Sequence, residues 1–163
     1  PGPALVRYPR GSGPGVEVQP GLGTVPMGRG ELRREGSRVA LLAFGSLVAS
    51  CAAAAETLDA TLANMRFVKP LDLELILDLA RGHDLLVTVE ENAVAGGAGS
   101  AVAEALAAAG VVVRCLHLGL PDRYIDHASH EEQLASCGLD PAGIVAAVRA
   151  ALPRSDSPNQ ATD

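Results

Sequence analysis

With 163 residues the chain is the size of one domain and long enough to bury a single sizeable core. Hydrophobic residues make up 48% but aromatic ones only 2%, and Trp is absent, so that core must be built from Leu, Val, Ile and Ala, which suits parallel strands covered by helices. A net charge of -6, with no basic block and no aromatic platform for stacked bases, argues against nucleic acid as a partner.

Three cysteines, Cys51, Cys115 and Cys137, are odd in number and lack CxxC spacing, so neither a disulfide framework nor a zinc site is indicated and a reducing cytoplasm is the expected setting. The apolar stretch 101–113 is interrupted by Glu104 and Gly110 and falls short of the ~20 residues a membrane span needs, so no membrane is expected as a partner. The N-terminus, Pro-Gly-Pro without Met, has no signal-peptide pattern and reads as a piece of a longer protein.

In chain order, residues 1–36 are dense in Gly and Pro, which blocks helix and favours an extended connector. Only residues 4–8 read as a short apolar strand, ended by Pro9. This segment is expected to be the last strand of a preceding domain followed by a linker. Arg29, Arg33 and Arg34, interleaved with Glu31 and Glu35, read as a solvated strand or turn surface.

A regular domain is expected over 37–152. Residues 38–44 form a continuous apolar run ended by Gly45, as in a strand buried on both faces, and Ser46 is placed to cap the helix that follows. A second strand is expected at 63–68. Asp72 should cap the next helix, with Leu71 stapled onto Ile76 and Gly82 at its end. Residues 85–90 predict a third strand, 100–109 a helix and 111–118 a fourth strand. A short helix at 131–137 and a last one over 141–152, capped by Asp140 with Pro141 in its first position, complete the pattern. Strands alternating with helices predict an α/β fold of three layers, αβα, with a mainly parallel sheet. The polar tail 153–163 is expected to be disordered.

Four places offer chemistry. Gly96-Gly97-Ala98-Gly99-Ser100, between a strand and a helix, suits an anion at a helix N-terminus, yet tight turns need glycine for steric reasons alone and the adjacent Glu90 and Glu91 would repel a phosphate. Glu90 and Glu91 offer an acid and base pair, but neighbours on a strand point to opposite faces, which favours a structural or domain-contact role. Among His83, His117, His127 and His130 only His127 and His130 are spaced to share a ligand, and nothing completes a metal site. Ser46 and Ser100 lie near glycines but in no Gly-x-Ser-x-Gly elbow. In Arg7-Tyr8-Pro9-Arg10-Gly11, an arginine between Pro and Gly at a strand end is suited to a bidentate phosphate grip, although loop arginines are common for other reasons.

Taken in order, Arg7 to Gly11, Gly28-Arg-Gly30, Met65-Arg-Phe-Val-Lys-Pro-Leu-Asp72, Val87-Thr-Val-Glu-Glu-Asn92 with the glycines at 96–100, Gly119-Leu-Pro-Asp122 and Gly138-Leu-Asp140 resemble the end of the 1-deoxyxylulose-5-phosphate synthases, over residues 4–152. The resemblance implies a transketolase C-terminal-like domain over 37–152, preceded by the end of a pyrimidine-binding domain. It implies a homodimeric, thiamine-diphosphate- and Mg2+-dependent transferase that condenses pyruvate with glyceraldehyde 3-phosphate, serving isoprenoid, thiamine and pyridoxal synthesis. In such enzymes the cofactor and metal lie on domains this chain lacks, so the resemblance implies no catalytic, cofactor or metal residue here and a chain inactive by itself. It places Arg10 as the ligand of the substrate phosphate, with Arg7 a weaker candidate. Other readings are a stand-alone dimerisation or interaction module, and the C-terminal domain of a transketolase or of a 2-oxoacid dehydrogenase beta subunit; the Arg-Tyr-Pro-Arg-Gly and Arg-Phe-Val-Lys-Pro-Leu-Asp segments fit the synthase better than these last two.

Overall fold

In a computed structural model, residues 2–6, 15, 20–21 and 23–152 are described. The element order is β1 (Glu31–Arg34), β2 (Val39–Ala43), a 3-10 turn (Gly45–Leu47), α1 (Val48–Leu58), β3 (Thr61–Asn64), α2 (Leu73–Gly82), β4 (Leu85–Ala93), α3 (Ala98–Ala108), β5 (Arg114–Leu120), α4 (His130–Ser136) and α5 (Pro141–Ala151). The five strands form one sheet in the order β1-β3-β2-β4-β5. β3, β2, β4 and β5 are parallel and β1 pairs antiparallel with β3.

The alternation of side chains along a strand divides the core in two. Val39, Leu41 and Ala43 of β2 and Leu85, Val87 and Val89 of β4 meet Cys51 and Ala54 of α1 and Ile144 and Val148 of α5. The other face, through Ala40, Leu42 and Leu86, meets Ile76 and Leu79 of α2 and Val102 and Leu106 of α3. β2 is buried along its whole length, as its unbroken apolar run requires. The result is the three-layer αβα arrangement with a mainly parallel sheet.

The helix ends follow local chemistry. Asp72 accepts from the Leu75 amide and caps α2, and Leu71 packs on the cluster that contains Ile76. Asp140 accepts from the Gly143 amide, with Pro141 in the first turn of α5. Ser129 and Glu132 form a reciprocal capping box on α4, where the Ser129 hydroxyl holds the exposed Glu132 carboxyl below its ordinary range. Residues 130–151 together have the length and apolar content of a membrane crossing. They are two helices separated by residues 137–140, however, and α5 buries Ile144 and Val148 in the core.

Several boundaries differ from those expected. The sheet takes in residues ahead of Ser37: Glu31 and Leu32 pair with Asn64 and Ala63, giving an edge strand where a linker was expected. No strand forms over residues 4–6, where Leu5 and Val6 stand exposed; Arg7 and Tyr8 lie outside the described residues. β3 spans Thr61–Asn64 rather than 63–68, because Arg66 takes a left-handed φ of 55° and turns the chain away, its amide donating to the Asn64 side chain. β5 begins at Arg114 and runs to Leu120, later than the 111–118 expected. Ser46 does not cap α1; it lies in the 3-10 turn and its hydroxyl is used elsewhere. The tail 153–163 lies outside the described residues.

The cysteines give a direct check on this core. Cys51 is fully buried and burial pushes its thiol up to about 12, whereas Cys115 is exposed and Cys137 half-buried. At pH 8 a thiol reagent should label Cys115 and Cys137 in the folded chain and reach Cys51 only on unfolding, a pattern read by mass spectrometry. Above the ordinary thiol pKa the unfolded chain ionises Cys51 while the folded chain keeps it neutral, so stability falls as pH rises from about 9 toward 12. Three labels added at the rate of the exposed thiol would contradict the packing of α1 on the sheet.

Candidate functional site

Sites in open α/β sheets gather beyond the carboxyl ends of the strands. The Gly-rich turn lies there, just after Glu90 and Glu91 in the last part of β4, and β4 departs from regular pairing at that point: its register against β5 shifts between Val89 and Ala93. Such a bulge re-aims side chains. It is accommodated by Gly119 of β5, where a Cβ would stand 2.6 Å from the Asn92 carbonyl oxygen.

Glu90 is 5% exposed and faces α3. One carboxylate oxygen accepts from the Ala98 amide at 2.8 Å and the other from the Gly99 amide at 2.8 Å. The carboxylate therefore occupies the N-terminus of α3, satisfying two amides that have no partner within the helix and facing the positive end of its dipole. This explains why α3 starts at Ala98 and not at Ser100, and why residue 97 is glycine: a Cβ there would collide with the Glu90 carboxylate. Behind it, Thr88 Oγ1 lies 2.7 Å from His117 Nδ1, and Gly99 packs tightly on both. The anion pocket that the Gly-rich turn suggested is filled by the protein's own carboxylate, and an incoming phosphate would meet a like charge.

Glu91 points to the opposite face, as neighbours on a strand do. Its carboxylate accepts from the Ser46 hydroxyl at 2.5 Å and lies 2.7 Å from His130 Nε2. Ser46, Glu91 and His130 thus meet past the end of β2 and at the last residues of β4, tying the start of the α1 segment and the start of α4 to the sheet. Nucleophilic catalysis needs the imidazole against the hydroxyl, with the carboxylate behind the imidazole. Here the carboxylate sits between the two, so His130 has no direct hold on the Ser46 proton and the group works as a clasp.

His83 serves the fold. His83 Nδ1 lies 2.8 Å from the Leu79 carbonyl oxygen, so that nitrogen carries the proton, and Nε2 lies 2.7 Å from Thr61 Oγ1. His127 is exposed, and among the described residues no group of three or more His, Cys, Asp or Glu is arranged to hold a metal ion. The arginine cluster is matched by carboxylates: Arg29 with Glu74 at 2.6 Å, Arg33 with Glu31 at 3.3 Å and Arg34 with Asp59 at 2.8 Å. The Arg34 guanidinium, with the Ser37 hydroxyl, holds the Asp59 carboxyl below its usual range. Arg10, the candidate phosphate ligand, and Arg7 lie outside the described residues.

Sequence reasoning missed the helix-capping role of Glu90. A signal was available: Leu86, Thr88 and Glu90 share one face of β4, and a carboxylate at the end of a buried row needs donors. The first free amides of the next helix are the nearest in the chain.

Fold and site together define a three-layer α/β domain in which the anion position at the α3 N-terminus is closed from within and polar clusters hold the fold together. The chain belongs to the transketolase C-terminal domain family: the model described as "Transketolase, C-terminal domain" matches residues 28–144. It is 64% identical over 151 residues to the 1-deoxy-D-xylulose-5-phosphate synthase of Thioalkalivibrio sulfidiphilus, covering 93% of this chain and 24% of that protein. To the synthase of Bordetella petrii it is 62% identical over 156 residues, covering 96% of this chain and 25% of the relative. The chain thus spans about a quarter of the length of these curated relatives. Among solved structures it is similar to a split-gene transketolase described as an inactive beta4 tetramer, with a TM-score of 0.73 and 34% identity over 78% of this chain and 43% of the other.

Proposed function

We propose that this chain is the C-terminal portion of a 1-deoxy-D-xylulose-5-phosphate synthase. In the complete enzyme, pyruvate and glyceraldehyde 3-phosphate condense with loss of CO2 to give 1-deoxy-D-xylulose 5-phosphate. The observation that carries this reading is the 64% identity across 93% of the chain. Thiamine diphosphate and Mg2+ serve the complete enzyme, but the described residues do not fit them: Glu90 fills the α3 N-terminus, and no metal-ligand cluster occurs among those residues. The portion described here contributes a rigid lobe to a homodimer, while carbon-carbon bond chemistry belongs to the rest of the enzyme. Arg10 grips the phosphate of glyceraldehyde 3-phosphate through its guanidinium.

The test is a chimera in which this chain replaces the matching quarter of the Thioalkalivibrio synthase. Retention of synthase activity within about tenfold of the parent is expected. In that chimera Arg10→Ala should raise the KM for glyceraldehyde 3-phosphate by about 10- to 100-fold, the loss of about 1.5–3 kcal/mol of charged hydrogen bonding, and leave the KM for pyruvate nearly unchanged. A folded but inactive chimera would overturn the reading, and equal effects on the two substrates would remove Arg10 from its role. A second reading is a self-associating module without activity of its own, favoured by the description of the split-gene neighbour as an inactive beta4 tetramer.

A further inference from the structure

Large apolar side chains left in water are unevenly distributed over this domain. Of nine such residues, Val25, Met27, Leu32, Val68 and Leu73 belong to three segments that the fold brings together. Residues 23–30 run in alongside the loop from β3 to α2. A Cβ on Gly28 would stand 2.8 Å from the Pro70 ring, the Gly30 amide donates to Asp72 at 2.8 Å, and Arg29 pairs with Glu74 at 2.6 Å. Met27 therefore lies beside the loop that carries Val68, and Leu73 opens the helix to which Arg29 and Gly30 are tied. Leu32 pairs with Ala63, whose side chain belongs to the α2 side of the sheet, so Leu32 is exposed on that same side.

Polar groups border this apolar corner. Arg29 with Glu74 at 2.6 Å forms an ion pair beside it. An apolar centre with a charged rim is the composition of a protein interface, and scattered single side chains would not produce it. The occupant follows from the length of chain outside the structure and from where the described chain enters. This chain accounts for only 24–25% of its relatives' length, and the segment leading back toward the remainder, residues 23–30, forms one wall of the corner.

We infer that the β1–α2 corner, formed by Met27, Leu32, Val68 and Leu73, is the surface on which the preceding three quarters of the synthase chain docks. This deepens the proposed function and rests on it. Docking there removes apolar surface from water beside the point where the chain enters the domain.

The experiment uses the chimera together with the chain as given. Met27 is 80% exposed here and serves as its own probe. Its oxidation by hydroxyl radicals should be about tenfold slower in the chimera than in the chain alone, because a packed interface excludes water. Val68→Asp and Leu73→Asp should leave the melting temperature of the chain alone nearly unchanged, since both sites are solvated. In the chimera, each should lower the synthase activity by about tenfold or more, because a charge is then left unpaired in an apolar contact. Equal oxidation of Met27 in both proteins overturns the inference, as do Asp variants that leave the chimera unaffected. Crosslinks from this corner that reach only the corresponding lobe of a second copy overturn it as well, by naming a different occupant. An inactive parent chimera would instead sink the proposed function, so the two failures can be told apart.

Discussion

Glu90→Ala is expected to lower the midpoint of thermal unfolding of this domain by about 10 °C. The side chain is 5% exposed, and each of its oxygens accepts one amide of the first turn of α3. Truncation leaves two donors without partners in a site walled by Thr88, His117 and the β4 bulge. Hydrogen bonds to a charged acceptor contribute about 1.5–3 kcal/mol each, and partial hydration of the vacated space offsets some of the loss, so a net cost of about 3 kcal/mol is expected. For a domain of this size that corresponds to about 3–4 °C per kcal/mol. Glu90→Gln should fall between parent and Ala, because one oxygen still accepts while the amide NH2 opposes an N–H donor. Phosphate or sulfate should raise the melting temperature of Glu90→Ala and have little effect on the parent, since the variant frees the two α3 amides that the Glu90 carboxylate occupies in the parent. Melting followed by circular dichroism checks all three; a parent chain that phosphate stabilises as strongly as the Ala variant would mean that the carboxylate does not fill the position.

The contrast between Glu90 and Glu91 marks where reading a sequence stops. Period-2 alternation alone establishes that the two side chains part to opposite faces of the sheet. It also delivers β2, whose run of apolar residues has one physical explanation, burial on both sides, and the caps of α2 and α5, where the residue that starts the helix also supplies the acceptor. What alternation cannot deliver is the partner of each carboxylate. Glu90 meets α3 because β4 bulges by way of Gly119, and Glu91 meets His130 across 39 positions of chain. Both contacts depend on tertiary register. β1 stays open in the sequence for a related reason: Glu-Leu-Arg-Arg has the charge of a solvated strand or turn, and only pairing with Thr61–Asn64, which itself starts two residues and ends four residues earlier than expected, makes it an edge strand of the sheet. The candidate site was legible to the extent that it is local. The Gly-rich turn was visible in the sequence as an anion position, and its anion proved to come from the strand before it.

Asp72 links that edge strand to the rest of the fold, and its replacement is expected to be nearly as costly as that of Glu90. One oxygen accepts from the Leu75 amide at 3.1 Å as the cap of α2, and the other accepts from the Gly30 amide at 2.8 Å, just ahead of β1. Arg29 approaches at 3.5 Å, and the side chain is 6% exposed. Asp72→Ala therefore loses a helix cap worth about 1 kcal/mol and leaves the Gly30 donor unpaired at about 1–2 kcal/mol, for a melting temperature lower by about 8 °C. The two functions separate in Asp72→Asn, since Asn caps helices as well as Asp does but has a single carbonyl oxygen for two amides. Hydrogen exchange should then show the first turn of α2 protected in the Asn variant and open in the Ala variant, with β1 amides exchanging faster in both. Protection of β1 that survives both substitutions would mean that pairing with β3 alone holds the edge strand, and the entry corner would lose the anchor that sets Met27 beside Val68 and Leu73.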